Sequence, residues 1–419
     1  LRLAQRENHK SQIKDQKFIM RILMLSWEYP PHLVGGMGAH VAELLPALAR
    51  HGADVTLLAP RWKGGAEFEA LHSHARVYRV TPPVAALGNF FADAHQTNLT
   101  LEHTAHELWK QTGSFDLIHA HDWLVSFAAQ ALKKIHKTPL VTTIHATERG
   151  RGRGELSGEI AVAIHGAEWW LTYEAWRVIA TSRFMADEVR DYFQLPQDKI
   201  VVIPNGVDPA RFGALSAEER AQLRAQWAAP HEQLVYYIGR VQQEKGVFVL
   251  ADAARQILAT DPFTKFIFAG TGTVLDALRE RVAAWGLSDR ITLSGYISDA
   301  LRDQLYQVAD VAVFPSLYEP FGIVGLEAMA ARCPVIVSDV GGLGEVVDDG
   351  VTGRKVPPDR SDLLAQAIRQ SLSDRALALE MAARAYAVVC QMYTWDQIAR
   401  AEVELYRQVI ESRRDTAWH

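Results

Sequence analysis

The sequence predicts an α/β protein with two domains, each built on a mostly parallel sheet. Three observations predict it. Short β-rich runs alternate with longer helix-period segments from Ile22 onward, an Ala/Glu/Arg-rich helical stretch interrupts them after Asp208, and the alternation starts again at Leu234. A chain of 419 residues also exceeds what one hydrophobic core ordinarily serves, and a 48% hydrophobic content is ample for two. The first half carries strand-like runs at Ile22–Leu25, Asp54–Leu58, Arg76–Val80, Asp116–His119, Leu140–Ile144, Val178–Ala180 and Ile200–Ile203, with helix-period segments such as Ala39–Arg50 and Glu168–Trp176 between them. The second half carries Leu234–Ile238, Lys265–Ala269, Ile291–Leu293, Val311–Phe314 and Val335–Val337. The expected division is a loose polar tail at 1–19, a first domain over 20–207 and a second over 208–393.

Composition narrows the function. The net charge of −5 is modest, and lysine and arginine form no long block, which argues against nucleic acid as partner. Cys333 and Cys390 build no disulfide framework and lie in no close Cys/His cluster, so a reducing cytoplasmic setting fits. No apolar stretch has membrane-spanning length, and any membrane contact would be peripheral. The expected partner is a small ligand.

In open parallel sheets a ligand sits outside the carboxyl ends of the strands, so the residues after each strand carry the chemistry. After the first run comes Ser26-Trp27-Glu28-Tyr29-Pro30-Pro31-His32-Leu33-Val34-Gly35-Gly36-Met37-Gly38. Glycines there permit positive φ and let amides approach a phosphate or sugar; a plain tight turn is the other reading. The spacing is not the dinucleotide fingerprint, which counts against a nicotinamide oxidoreductase. His145 ends the run Leu140–Ile144 and either bonds a sugar hydroxyl or developing charge or is a satisfied polar residue. Asp122 reads as a helix N-cap. His119 and His121 are read on opposite faces of a strand, which discounts a metal site. Arg149–Arg153 reads as a solvated mobile loop, and Trp169, Tyr173 and Trp176 as one core-facing helical stripe.

The second half is richer. Gly239-Arg240 and Lys245 follow an apolar strand, two cations five residues apart that could neutralise a departing diphosphate or pair with Glu244. Gly270-Thr271-Gly272-Thr273 and Gly341-Gly342-Leu343-Gly344 place glycines at helix starts. Glu319 and Glu327 bracket Pro320-Phe321-Gly322-Ile323-Val324-Gly325-Leu326 directly after Val311–Phe314. A strand-loop-helix reading puts the first carboxylate in the loop and the second about two turns into the helix. Acceptor-only side chains around a glycine-bearing loop suit a ligand rich in hydroxyls, with the helix's free amides for its anionic part. A nucleotide sugar has both.

Taken together, these segments resemble the family 4 retaining glycosyltransferases of the GT-B fold, in the glycogen-synthase-like branch, over about Met20 to Arg407. The segments carrying the resemblance are the Gly35-Gly36 loop, His145, Pro204-Asn205-Gly206-Val207-Asp208, Gly239-Arg240 with Lys245, and Glu319 to Glu327. The resemblance implies two Rossmann-like domains facing across a cleft, with a last helix, about 394–419, packing back on the first. It implies that Arg240 and Lys245 hold the donor diphosphate, that Glu319 and the amides of Phe321, Gly322 and Ile323 engage the transferred sugar, and that Glu327 binds the ribose. Gly35, Gly36, Gly239 and Val324 complete the implied donor site, and His145 contacts the sugar near its reacting carbon. The implied reaction is front-face transfer with retention, using neither a protein nucleophile nor a metal or cofactor. One departure is Leu33, where the related family 5 glycogen synthases usually have lysine. The expected activity is glucose transfer from ADP- or UDP-glucose to an α-1,4-glucan. Alternatives are maltose 1-phosphate, sucrose or mannoside synthesis by the same chemistry, and a non-catalytic sugar-nucleotide or glucan-binding protein.

Overall fold

The computed structural model describes residues 19–83, 88–213 and 215–418, so the segment read as a loose tail lies, except for Ile19, outside the described residues. Fourteen strands form two sheets among them. The first comprises β1 (Met20–Leu25), β2 (Ala53–Pro60), β3 (Phe68–His72), β4 (Ala75–Val80), β5 (Leu117–His121), β6 (Leu140–Ile144), β7 (Arg177–Ala180) and β8 (Ile200–Val202), in the order β3-β4-β2-β1-β5-β6-β7-β8. The second comprises β9 (Gln233–Ile238), β10 (Thr264–Ala269), β11 (Ile291–Gly295), β12 (Val311–Phe314), β13 (Val335–Ser338) and β14 (Arg354–Val356), in the order β11-β10-β9-β12-β13-β14 with every pair parallel.

The central strands are apolar runs because both of their faces are covered. Leu23, Met24 and Leu25 on β1 and Val311, Ala312 and Val313 on β12 are fully buried. Two strands were not legible. β3 is a largely exposed antiparallel edge on β4, and β14 is three residues long, so neither shows the apolar run that marks a buried strand.

The strand order fixes where a ligand belongs. In the second sheet the direction of growth reverses between β9 and β12, and the crevice beyond their carboxyl ends is the topological switch point. Arg240 and Lys245 follow β9; Glu319 follows β12.

By packing, the chain divides into two compact units. Of the described residues, one takes those up to Thr142 with Glu174–Trp176 and those from Ala399 onward; the other takes those in 143–173 and 177–398. The last helix is Trp395–Arg414. From it, buried Tyr406 places its hydroxyl 2.7 Å from His119 Nδ1 on β5 and 2.5 Å from Glu402 Oε2. Burial raises the Glu402 carboxyl to about 7. Among the described residues no helix is long and apolar enough to cross a membrane.

Four expectations need correction. His119 and His121 share a face of β5, with ring centroids 4.3 Å apart, as the two-residue period of a strand requires. Asp122 stands before a short 3-10 turn with φ 59° but makes no side-chain capping bond. Residues 148–151 form a helical turn rather than a loose loop: Thr147 caps it by accepting from the Gly150 amide, and Glu168 Oε1 accepts from the Glu148 amide at 2.8 Å. The aromatic stripe is not core. Trp169 and Tyr173 are 45% and 61% exposed and stack on each other with centroids 5.3 Å apart, because helix Gly158–Glu174 buries the face carrying Ile164, Ala167, Glu168 and Leu171 instead.

Candidate active site

The candidate site starts from the turn after β9. Gly246 has φ 66°, and a Cβ there would collide with the Pro315 carbonyl, so a bare backbone is required where the two switch-point loops touch. Backbone bonds join them: the amides of Leu317 and Tyr318 donate to the Glu244 carbonyl at 2.8 and 3.3 Å. This contact brings Lys245 to Glu319. Lys245 Nζ lies 2.8 Å from Glu319 Oε2, with side-chain exposures of 16% and 12%, and Ser316 Oγ donates to the same oxygen at 3.2 Å. Glu319 Oε1 accepts no bond among the described residues and is open to a ligand hydroxyl. Arg240 is more exposed; its guanidinium lies 3.4 Å from Glu244, while its carbonyl accepts from the Tyr237 hydroxyl at 2.8 Å.

Helix Ile323–Ala330 begins at Gly322, whose φ of 95° turns the chain into it and whose missing side chain admits Leu343 Cδ1, 2.6 Å from where a Cβ would sit. Among the described residues nothing accepts from the amides of Phe321 and Gly322, and those of Ile323 and Val324 head the helix, where no intrahelical acceptor exists. These four amides lie next to Glu319 in the chain. Glu327, on the same helix, is buried: Arg211 donates to its Oε1 at 2.7 Å and the Tyr306 hydroxyl to its Oε2 at 3.2 Å. Its carboxylate is therefore held by protein groups on both oxygens.

His145 follows β6 and belongs to the same compact unit. Its partly accessible ring is surrounded closely enough that desolvation, aided by the Arg151 cation, pushes its pKa down to about 3. The imidazole is thus neutral at physiological pH. Gly35 and Gly36 lie in the other unit. Neither uses positive φ: Gly35 is extended at φ −154° and Gly36 opens helix Gly36–Arg50. The Gly35 amide donates to Glu28 Oε2 at 3.0 Å, as the Val34 amide does at 2.8 Å, so Glu28 fixes this turn.

One buried carboxylate escaped the sequence reading. Glu188, on helix Arg183–Phe193, accepts from Tyr318 Oη at 3.0 Å and from the Thr147 hydroxyl, tying the turn after His145 to the loop before Glu319. Burial raises its pKa, while the Thr147 and Tyr318 hydroxyls and Arg151 oppose the shift. The available signal was an acid amid the apolar positions Met185, Val189 and Phe193. Ser182 Oγ donates to the Pro320 carbonyl at 2.6 Å and Glu345 accepts from the amides of Arg183 and Phe184, bracing the same loop.

Known proteins resemble this chain over most of its length. Residues 34–211 match the model of Glycosyltransferase Family 4, and residues 219–388 that of Glycosyl transferases group 1. An uncharacterised glycosyltransferase of Methanocaldococcus jannaschii is 36% identical over 400 residues, covering 94% of this chain and 99% of that protein. The chain belongs to glycosyltransferase family 4. Another relative is the glycogen synthase of Mycobacterium tuberculosis, 36% identical over 400 residues and covering 92% of this chain and 94% of its own. Among solved structures, the sucrose-phosphate synthase of Thermosynechococcus elongatus superposes with a TM-score of 0.79 at 26% identity, covering 94% of this chain and all of the other. This glycosyltransferase therefore has the GT-B fold that the family resemblance implied.

Proposed function

We propose that this glycosyltransferase moves glucose from ADP- or UDP-glucose to the non-reducing end of an α-1,4-glucan, with retention and without a metal or other cofactor, in the cytoplasm. The observation that carries the reading is the Lys245–Glu319 pair at the switch point of the second sheet, beside the amides of residues 321–324. It supplies a cation for a diphosphate and a carboxylate for sugar hydroxyls within one contact. The glycogen synthase relative supports the glucan acceptor.

In this reading Lys245 and Arg240 bind the two phosphates and take up the negative charge that develops as the glucose–phosphate bond breaks. Glu319 accepts from a glucose hydroxyl through Oε1, and neutral His145 orients the sugar near its reacting carbon. The acceptor hydroxyl attacks from the face the diphosphate leaves, the leaving phosphate oxygen takes its proton, and the nucleoside diphosphate departs as the glycosidic bond forms. Glu327 accepts from the ribose by exchanging or sharing its bond to Arg211.

The test is a donor screen of ADP-, UDP- and GDP-glucose against glycogen and short maltooligosaccharides, with the product anomer read by NMR and the rate repeated in EDTA. Transfer from one donor to glycogen, α-configured and unchanged by EDTA, is expected. Transfer only to a monosaccharide or its phosphate would favour the second reading, for which the likeness to a sucrose-phosphate synthase is the motive. Binding of donor with no transfer to any acceptor would indicate a non-catalytic protein.

A further inference from the structure

The second sheet has a cavity of about 780 Å3 at its amino end, away from the loops just described, lined by Gln233, Asp310 and Pro334, which open or precede β9, β12 and β13. Four guanidiniums, of Arg220, Arg224, Arg332 and Arg375, and two carboxylates, of Glu232 and Asp310, border it. The carboxylates are already engaged. Asp310 bonds Arg224 at 2.6 Å and also pairs with Arg375, and Glu232 lies 2.5 Å from Arg290. Arg220 and Arg332 are left with no carboxylate partner among the described residues. Arg220 donates to the Gln307 carbonyl, and Arg332 stacks on the Tyr386 ring with its guanidinium carbon 4.0 Å from the centroid.

Arg332 also sits where its side chain is disfavoured. The chain leaves helix Ile323–Ala330 through a left-handed residue, with the Cys333 amide bonded to the Ala328 carbonyl at 2.9 Å, the closure that usually places glycine at this position. Here Arg332 takes it at φ 57°. A forked donor held over an aromatic ring, with a second forked donor on the same cavity's lining, fits a phosphoryl group; Phe212, Leu379 and Tyr386 supply apolar surface for a ring attached to it.

The same walls touch the candidate donor site from below. Tyr306 lines the cavity and donates to Glu327 Oε2 at 3.2 Å. Pro209 and Phe212 line it too, and between them Arg211 bonds Glu327 Oε1 at 2.7 Å. We propose that the cavity lined by Arg220 and Arg332 binds a phosphomonoester, of a sugar or a nucleoside, and that its occupancy is transmitted to Glu327 through Tyr306 and Arg211. The transmission rests on the donor role given to Glu327 above; the binding does not.

Isothermal titration of the full chain with glucose 6-phosphate, AMP and inorganic phosphate, each in the presence of saturating ADP and UDP, tests the binding and separates the two sources of the ester. One ester is expected to bind at one site per chain, and Arg220→Gln with Arg332→Gln to weaken it about tenfold or more, the loss expected for removing charge-assisted phosphate contacts. Both arginines are exposed, so the double variant should melt as the parent does. Lys245→Ala should leave ester affinity unchanged. The proposal is overturned if neither ester binds at up to about 10 mM, if inorganic phosphate alone binds, if the double variant binds like the parent, or if Lys245→Ala abolishes binding. For the transmission, the bound ester should shift the donor KM at least about twofold, and Tyr306→Phe should remove the shift; an unmoved KM in the parent contradicts it. Undiminished binding by Lys245→Ala of the nucleoside diphosphate that the parent binds, ADP or UDP, would defeat the donor reading and leave the cavity standing.

Discussion

The two ends of the second sheet are built in different ways. At the carboxyl end, Lys245 and Glu319 come from two strand-loop-helix segments, each contiguous in sequence, and the sheet order forces those loops together. At the amino end, the cavity draws Arg220, Glu232, Asp310, Arg332 and Arg375 from five separate segments, each ordinary by itself. The first site also holds its cation and carboxylate against each other, whereas the second leaves two cations uncompensated. A site made at a topological switch point is local in sequence; one made where strands begin depends on tertiary packing.

The largest effect should come at the carboxyl end. Glu319→Gln keeps the shape but removes the charge opposite Lys245, and should lower kcat roughly 10²- to 10³-fold if electrostatic positioning dominates; a kcat within a few-fold of the parent would dissolve the pair's assigned role. Glu327→Ala should act mainly on donor affinity, raising KM about tenfold through loss of a charge-assisted bond, and a collapsed kcat at unchanged KM would place Glu327 in the chemistry instead. It also leaves Arg211 without that partner, so Arg211→Ala in the same background should add little further loss.

Two smaller effects lie outside the second sheet. Glu402 has its carboxyl raised from 4.5 to about 7 by burial, so the folded chain holds a proton that the unfolded chain releases. That contribution is complete below about pH 4.5 and is lost as pH rises through 7, by up to roughly 3 kcal/mol. Glu402→Gln should flatten this limb of the stability profile; an identical slope between pH 5 and 7, measured by denaturant melts at about those values, would reject the assignment. The smallest effect belongs to the stacked aromatics. Because Trp169 and Tyr173 are exposed, replacing both by serine should change stability by only about 0.5 kcal/mol each, whereas a loss of about 3 kcal/mol or more would restore the core reading.

What could be read from the sequence follows from the same contrast. Periodicity exposed the buried parallel strands because both faces of β1 and β12 are apolar, and it missed β3 and β14, which lack that run. The Gly239–Lys245 and Glu319–Glu327 segments stood out because their chemistry is contiguous. Glu188 did not, since its partners Thr147 and Tyr318 lie 41 and 130 residues away. The aromatic stripe was misread because residue type alone does not say which helical face the rest of the chain covers. The Gly35 turn is the tight strand-to-helix turn the sequence also allowed: Glu28, a side chain seven residues earlier, braces it, and the positive φ that glycines permit is not used.

Lys245 bears most directly on the central claim that the switch point of the second sheet holds the donor diphosphate. Glucose transfer from ADP- or UDP-glucose to glycogen should be measured for the parent and for Lys245→Ala, with melting curves to confirm that both fold. Transfer by the parent and a loss of roughly 10²-fold or more in kcat/KM in the folded variant is predicted. Equal kcat/KM in the two folded proteins would contradict it.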